Sequence, residues 1–157
     1  MPLSMTAQKV QDQLTALGFN YKVIEFQEST RTAQEAAERA GCALGQITKS
    51  LIFKGKRTDK PILVLTSGAN RVNEKTISEY AGEPISRADA DFVRAVTGFA
   101  IGGVPPVGHA NKMETYLDED FLQYSTIWAA AGTPNAIFEL TPDALQKMTG
   151  GKIVKVK

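Results

Sequence analysis

Two apolar runs, Ser50-Leu51-Ile52-Phe53 and Pro61-Ile62-Leu63-Val64-Leu65-Thr66, constrain this chain most, because the polar Gly55-Lys56-Arg57-Thr58-Asp59-Lys60 joins them. Strand-forming runs on either side of a glycine-bearing polar loop predict a hairpin. Around that hairpin, helices and strands are interspersed, so a purely parallel, doubly wound sheet is a poor fit. The pattern predicts an α/β (mixed α+β) fold: a central mixed, mainly antiparallel sheet that curls around a cleft, with helices packed outside.

The helices carry their own punctuation. Val10, Leu14 and Leu17 share one face of a helix over about Thr6 to Leu17, which Gly18 ends. Thr32 and Glu35 form a capping box for a second, slim alanine-rich helix closed by Gly41. Asn73 caps a third through Tyr80, ended by Gly82, and Ala88 or Asp89 starts a fourth that reaches Val96 before Gly98. Pro142 opens a last helix after Thr141. Further strands are expected at Tyr21 to Phe26, Ala100-Ile101, Thr115 to Leu117, Thr126 to Ala129, Ile137 to Leu140 and Ile153-Val154.

At 157 residues the expectation is one domain, residues 1–157, large enough for a core without staples. Eighteen basic against seventeen acidic residues give a net charge of +1, so no general basic field draws in nucleic acid. Contact with RNA would have to be local; the 54–60 loop and the C-terminal lysines are the basic clusters, and solvated surface charge is their plainer reading. One cysteine, Cys42, excludes an intrachain disulfide and a cysteine-based zinc site, and the single histidine makes a histidine-based metal site improbable. No apolar run approaches the ~18 residues of a membrane span. With no signal-peptide pattern at the N-terminus, the expected location is the cytoplasm.

The common catalytic signatures are missing: no GxSxG elbow, no Walker loop, no HExxH and no EF-hand loop. Asp118-Glu119-Asp120 reads as a turn or helix cap rather than paired catalytic carboxylates. What remains is the segment Gly98-Phe99-Ala100-Ile101-Gly102-Gly103-Val104-Pro105-Pro106-Val107-Gly108-His109 and the isolated cation Lys49. Glycine lets the backbone approach a ligand, and proline fixes φ and removes a donor, so such a loop can present bare peptide groups in one rigid shape. Lys49 shares a strand face with Leu51 and Phe53, which places its ammonium at a cleft rim. An ordinary tight turn and a snorkelling lysine are the structural readings of the same residues.

Thr32-Ala33-Gln34-Glu35-Ala36-Ala37, Lys49-Ser50-Leu51, and Thr97-Gly98-Phe99 with Gly102-Gly103-Val104-Pro105-Pro106-Val107-Gly108 together resemble the YbaK-type aminoacyl-tRNA deacylases. These are relatives of the editing domain inserted in bacterial prolyl-tRNA synthetases. The resemblance runs in order from about Thr6 to Ile153, and Asp118, Ile127 to Gly132 and Ile137 to Leu140 fit the closing strands. It implies the family's partly barrel-like sheet and hydrolysis of the ester joining a wrong, small amino acid to tRNA.

The site residues it implies are Lys49, Gly102 and Gly103 at the chemistry. Thr30, Thr32, Ser50, Val104, Pro105, Pro106 and His109 are implied at the substrate. Ser50 would touch the amino group or side chain of the substrate. His109 stands where the family does not require histidine, and reads as a supporting residue before a general base. No metal or organic cofactor is implied. The implied partner is the aminoacylated acceptor end of tRNA, with a synthetase as a second candidate, and neither DNA nor membrane. A non-catalytic adaptor for aminoacyl-tRNA or a synthetase is the competing class, and a hydrolase of some other small ester is a third.

Overall fold

The computed structural model describes residues 2–157. The expected hairpin is its centre: β2 (Thr48–Gly55) pairs antiparallel with β3 (Pro61–Ser67) over seven residue pairs. β4 (Ile85–Arg87) extends the sheet beside β2, while β5 (Glu114–Asp118) and β8 (Lys152–Val154) add parallel strands beyond β3. The order is β4-β2-β3-β5-β8. A second, antiparallel sheet, β1-β7-β6, contains β1 (Ile24–Glu25), β6 (Ile127–Ala130) and β7 (Ala136–Leu140). A bridge between Ile47 and Trp128 joins the two sheets at one end. The protein is therefore a mixed, mainly antiparallel α/β structure whose sheet is built in two parts.

β3 explains why its sequence is apolar throughout. It lies between β2 and β5, which pair both of its edges, and its two faces enter two different cores. Leu63 and Leu65 enter the larger core with Val10 and Leu14 of α1 (Met5–Ala16) and Phe138 of β7. Ile62 and Val64 enter a smaller core on the opposite face with Phe53 and with Ile77 of α3 (Glu74–Ala81). The same alternation sorts β2: Ile52 belongs to the larger core, Phe53 and Leu51 to the smaller.

Caps fall where the sequence puts them. Thr32 and Glu35 complete the capping box of α2 (Ala33–Ala40). Asn73 caps α3, Asp89 caps α4 (Ala90–Thr97), and Thr141 caps α5 (Pro142–Thr149).

Two expected strands change. Of Tyr21 to Phe26, only Ile24 and Glu25 pair, because the Gln11 side chain takes the Tyr21 carbonyl (2.8 Å) and the Val23 amide (2.9 Å) in place of a neighbouring strand. Ala100-Ile101 is not a strand. The Gly103 amide donates to the Ala100 carbonyl at 3.1 Å and Gly102 has φ +93°, which makes Ala100–Gly103 a type II turn.

Candidate active site

A cleft of about 350 Å³ opens where β2 and β6 diverge beyond the Ile47–Trp128 bridge. The start of α2 and the Ala100–Gly103 turn close its sides. Its lining includes Lys49, Ser50, Thr30, Thr32, Gly102 and Val104 from the expected set. It does not include Gly103, Pro105, Pro106 or His109.

The turn shows why. The Gly103 amide closes the turn, and its carbonyl accepts from the Gly132 amide at 2.8 Å. A Cβ on Gly103 would lie 2.9–3.0 Å from the backbone of Gly132 and Thr133. Gly103 thus fastens the loop to the smaller sheet, and its neighbours Gly102 and Val104 face the cleft. Among the described residues, the amides of Gly102 and Val104 have no intramolecular hydrogen-bond acceptor. Pro105 and Pro106 are buried behind them. The His109 Nε2–H donates to the Pro105 carbonyl at 2.6 Å, and burial pushes its pKa down, so it ties the loop as a neutral ring.

Lys49 and its sequence neighbours divide between the two faces of β2. Thr48, Ser50 and Ile52 face the larger core and the cleft above it. Lys49 lies at the rim, with Leu51 and Phe53 beyond it on the other face. Its Nζ donates to the Asn70 carbonyl at 2.7 Å. Burial, then the nearby Arg87 and Arg71, hold its pKa below the usual lysine range, with Asp118 opposing.

Asn70 is itself anchored. Its amide group donates to Asp118 Oδ2 at 2.8 Å and to Asp120 Oδ2 at 2.7 Å. Buried Asp118 also accepts from the Thr66 hydroxyl (3.0 Å) and the Ser67 amide (2.9 Å), and it caps the 3-10 turn Glu119–Gln123. The carboxylate run therefore holds the rim around Lys49. Among the described residues, no cluster of side chains suits a metal ion. Cys42 is half-buried, and burial with the charge of Glu139 pushes its thiol pKa up, away from a nucleophilic thiolate.

Sequence reasoning missed four residues at the site. Arg31 lies across Gly102, where an added Cβ would come within 2.7 Å of its Cγ, and Trp128 and Thr48 line the cleft. Asn70 supports the rim. Thr48 had a signal, its alternation with Ser50 on one strand face. Arg31 sits between the expected Thr30 and Thr32, and Trp128 and Asn70 arrive through long-range packing.

The cleft between β2 and β6 thus combines unspent backbone amides on one side with a fixed cation at its rim. The aminoacyl-tRNA editing domain model matches residues 27–148, and the chain belongs to that family. It is 33% identical over 149 residues to the uncharacterized protein YwhH of Bacillus subtilis (strain 168), covering 95% of this chain and 94% of that one. It is 30% identical over 139 residues to EbsC of Enterococcus faecalis, covering 87% and 84% of the two chains. EbsC bears the name "Putative Cys-tRNA(Pro)/Cys-tRNA(Cys) deacylase". A crystal structure of "a putative trans-editing enzyme for prolyl tRNA synthetase" superposes with a TM-score of 0.94 at 46% identity, covering 99% of both chains.

Proposed function

We propose that this protein is a trans-editing deacylase that hydrolyses the ester between a small amino acid and a mischarged tRNA. The observation that carries the reading is the cleft itself. An editing-domain chain here joins a rim cation to a rigid turn with amides free for a ligand. At about 350 Å³ the cleft is near the small end of ligand sites, which suits an aminoacyl group with part of its ribose.

An aminoacyl ester is already activated, and the ribose hydroxyl lies beside its carbonyl, so a triad nucleophile is dispensable. The chain's work is to hold the ester, position a water and stabilise the oxyanion with donors fixed in advance. The Gly102 amide, with that of Val104, supplies those donors; Gly103 fixes their direction. Lys49 has one proton on the Asn70 carbonyl and two more for a phosphate oxygen of the acceptor end. Thr30, Thr32 and Ser50 contact the substrate in the cleft. Pro105, Pro106 and His109 shape the loop from behind. A synthetase is the natural second partner, given the neighbour described as "a putative trans-editing enzyme for prolyl tRNA synthetase".

The test is to incubate the protein and a Lys49→Ala variant with a panel of tRNAs charged with labelled small amino acids. Ester loss above the spontaneous rate is expected. The variant should be about thirty- to a thousandfold slower, the usual effect of taking one charged hydrogen-bond donor out of a closed site. Binding of charged tRNA without accelerated ester loss would leave an adaptor instead.

A further inference from the structure

Two hydroxyl oxygens at the cleft have no role in the fold. Thr48 Oγ1 and Ser50 Oγ are both shielded from solvent, and neither has a hydrogen-bond partner. Both residues line the cleft, two apart on the β2 face that also carries Ile52 into the larger core. Thr48 as a whole is 4% exposed. A buried polar atom without a partner is rare in a folded protein and costs free energy. Two of them, side by side on one wall of one cleft, mark a place where a bound group completes the bonding.

The character of that group follows from what a hydroxyl needs. Each protein hydroxyl carries a proton to give and lone pairs to fill. An ammonium offers donors only, and would leave both hydroxyl protons without an acceptor. It would also sit beside Lys49, with Arg71 and Arg87 adding to the positive potential. A thiol donates and accepts weakly. A neutral hydroxyl can accept from one partner and donate to the other. Ala33, Ala36, Ala129 and Ile137 add an apolar stretch to the lining, and a cleft of about 350 Å³ that must also take part of the ribose suits a short side chain.

Building on the deacylase reading, we propose that Thr48, with Ser50, determines specificity by hydrogen-bonding a small hydroxyl-bearing aminoacyl side chain, so that the cleft prefers a seryl over an alanyl ester. A site with buried polar groups waiting for a substrate hydroxyl discriminates strongly against the analogue that lacks it, because the groups then stay unpaired.

The experiment uses the full chain and amide-linked, non-hydrolysable 3′-seryl-, 3′-cysteinyl- and 3′-alanyl-aminoadenosine probes, with binding read by calorimetry. Seryl- and alanyl-tRNA hydrolysis is followed in parallel. The wild type should bind the seryl amide about tenfold or more tighter than the alanyl amide, with the cysteinyl amide between them. Thr48→Val should bring the two affinities together, chiefly by weakening the seryl amide, and Thr48→Ser should keep the preference. Thr48→Val removes an unpartnered buried atom, so its ligand-free melting temperature should equal or exceed that of the wild type. Ser50→Ala, at a less buried position, gives an independent reading of the same preference. Equal wild-type affinity for the seryl and alanyl amides overturns the proposal, as does an equal loss of both in Thr48→Val. Selective binding of the seryl amide with no ester hydrolysis would sink the deacylase reading and leave the recognition standing.

Discussion

Lys49 is the residue on which the proposed chemistry leans most, and its surroundings set the pH range in which it works. Burial and the neighbouring Arg87 and Arg71 lower its pKa, so the folded protein gives up this proton more easily than a free lysine at about 10.4 would. As pH rises through that lowered value the ammonium is lost, and affinity for an anionic acceptor end should fall with it. Lys49→Arg keeps its charge across the whole range, since a guanidinium does not deprotonate in proteins. Binding of an amide-linked aminoacyl oligonucleotide, which survives base, should decline on the alkaline side for the wild type and stay flat for Lys49→Arg. Parallel curves would remove Lys49 as the anion anchor. The lysine itself was conspicuous in the sequence, a cation opening an apolar strand. Its support was not, because Asn70, whose carbonyl accepts from it, and Asp118 at the end of β5, which holds Asn70, lie far away in the chain.

The elements around the site depend on two fastenings of different kinds. Gly103 packs its α-carbon against the Gly132–Thr133 backbone, which cannot swing aside as a side chain would. Gly103→Ala should therefore displace the turn, destabilising the protein by about 1–3 kcal/mol as other overpacking changes do, and should cost more in kcat/KM than in stability. Gly102→Ala meets only the flexible Arg31 stem but must hold φ +93°, at about 1–2 kcal/mol for a left-handed residue. Urea melts with deacylation rates on both variants check this; two variants with unchanged rates would show that the turn merely connects.

The hairpin loop is held by Glu83. Its carboxylate accepts from the amides of Arg57 and Thr58, both at 2.9 Å, and from the Thr58 hydroxyl at 2.7 Å. These bonds, those of Thr58 foremost, bring its pKa down to about 2. A depressed carboxylate adds stability that is present above the unfolded value of about 4.3 and is lost as pH falls toward the folded one. Glu83→Gln should lower the melting temperature at neutral pH and flatten its acid decline across that window. An unaltered acid limb would assign the decline to other carboxylates. The hairpin, the caps and the helix ends were legible because each is written in neighbouring residues. The loss of Tyr21–Phe26 as a full strand was not, since a distant Gln11 side chain decides it, and Ala100-Ile101 bends because of the glycine that follows it.

Taken whole, the molecule has a net charge of +1, so the RNA contact of the proposed function would rest on local groups and not on a general basic field. The basic 54–60 loop, a candidate extra contact in the sequence, spends much of its charge within the fold. Lys54 pairs with Asp59 at 3.7 Å, Lys60 with Glu114 at 3.2 Å, and the Arg57 guanidinium donates to the Gly82 carbonyl. At the C-terminus Lys147 pairs with Asp143 and Lys157 with Asp120, both at 3.0 Å. Arg71 and Arg87 instead stand close enough to Lys49, itself at the cleft rim, for their charges to lower its pKa. If docking relies on these three, about two or three phosphates of the single-stranded acceptor end are neutralised. The slope of log affinity against log salt is then about −1.4 to −2, at roughly −0.7 per phosphate contact. Charge reversal in the 54–60 loop, as in Lys56→Glu, should leave that slope nearly unchanged, whereas Arg87→Ala should reduce its magnitude by about 0.7. A slope steeper than about −4, or one that collapses with Lys56→Glu, would move the RNA onto the hairpin loop. Recognition would then come from an extended track along the duplex, and the rim cations would serve the ester end alone.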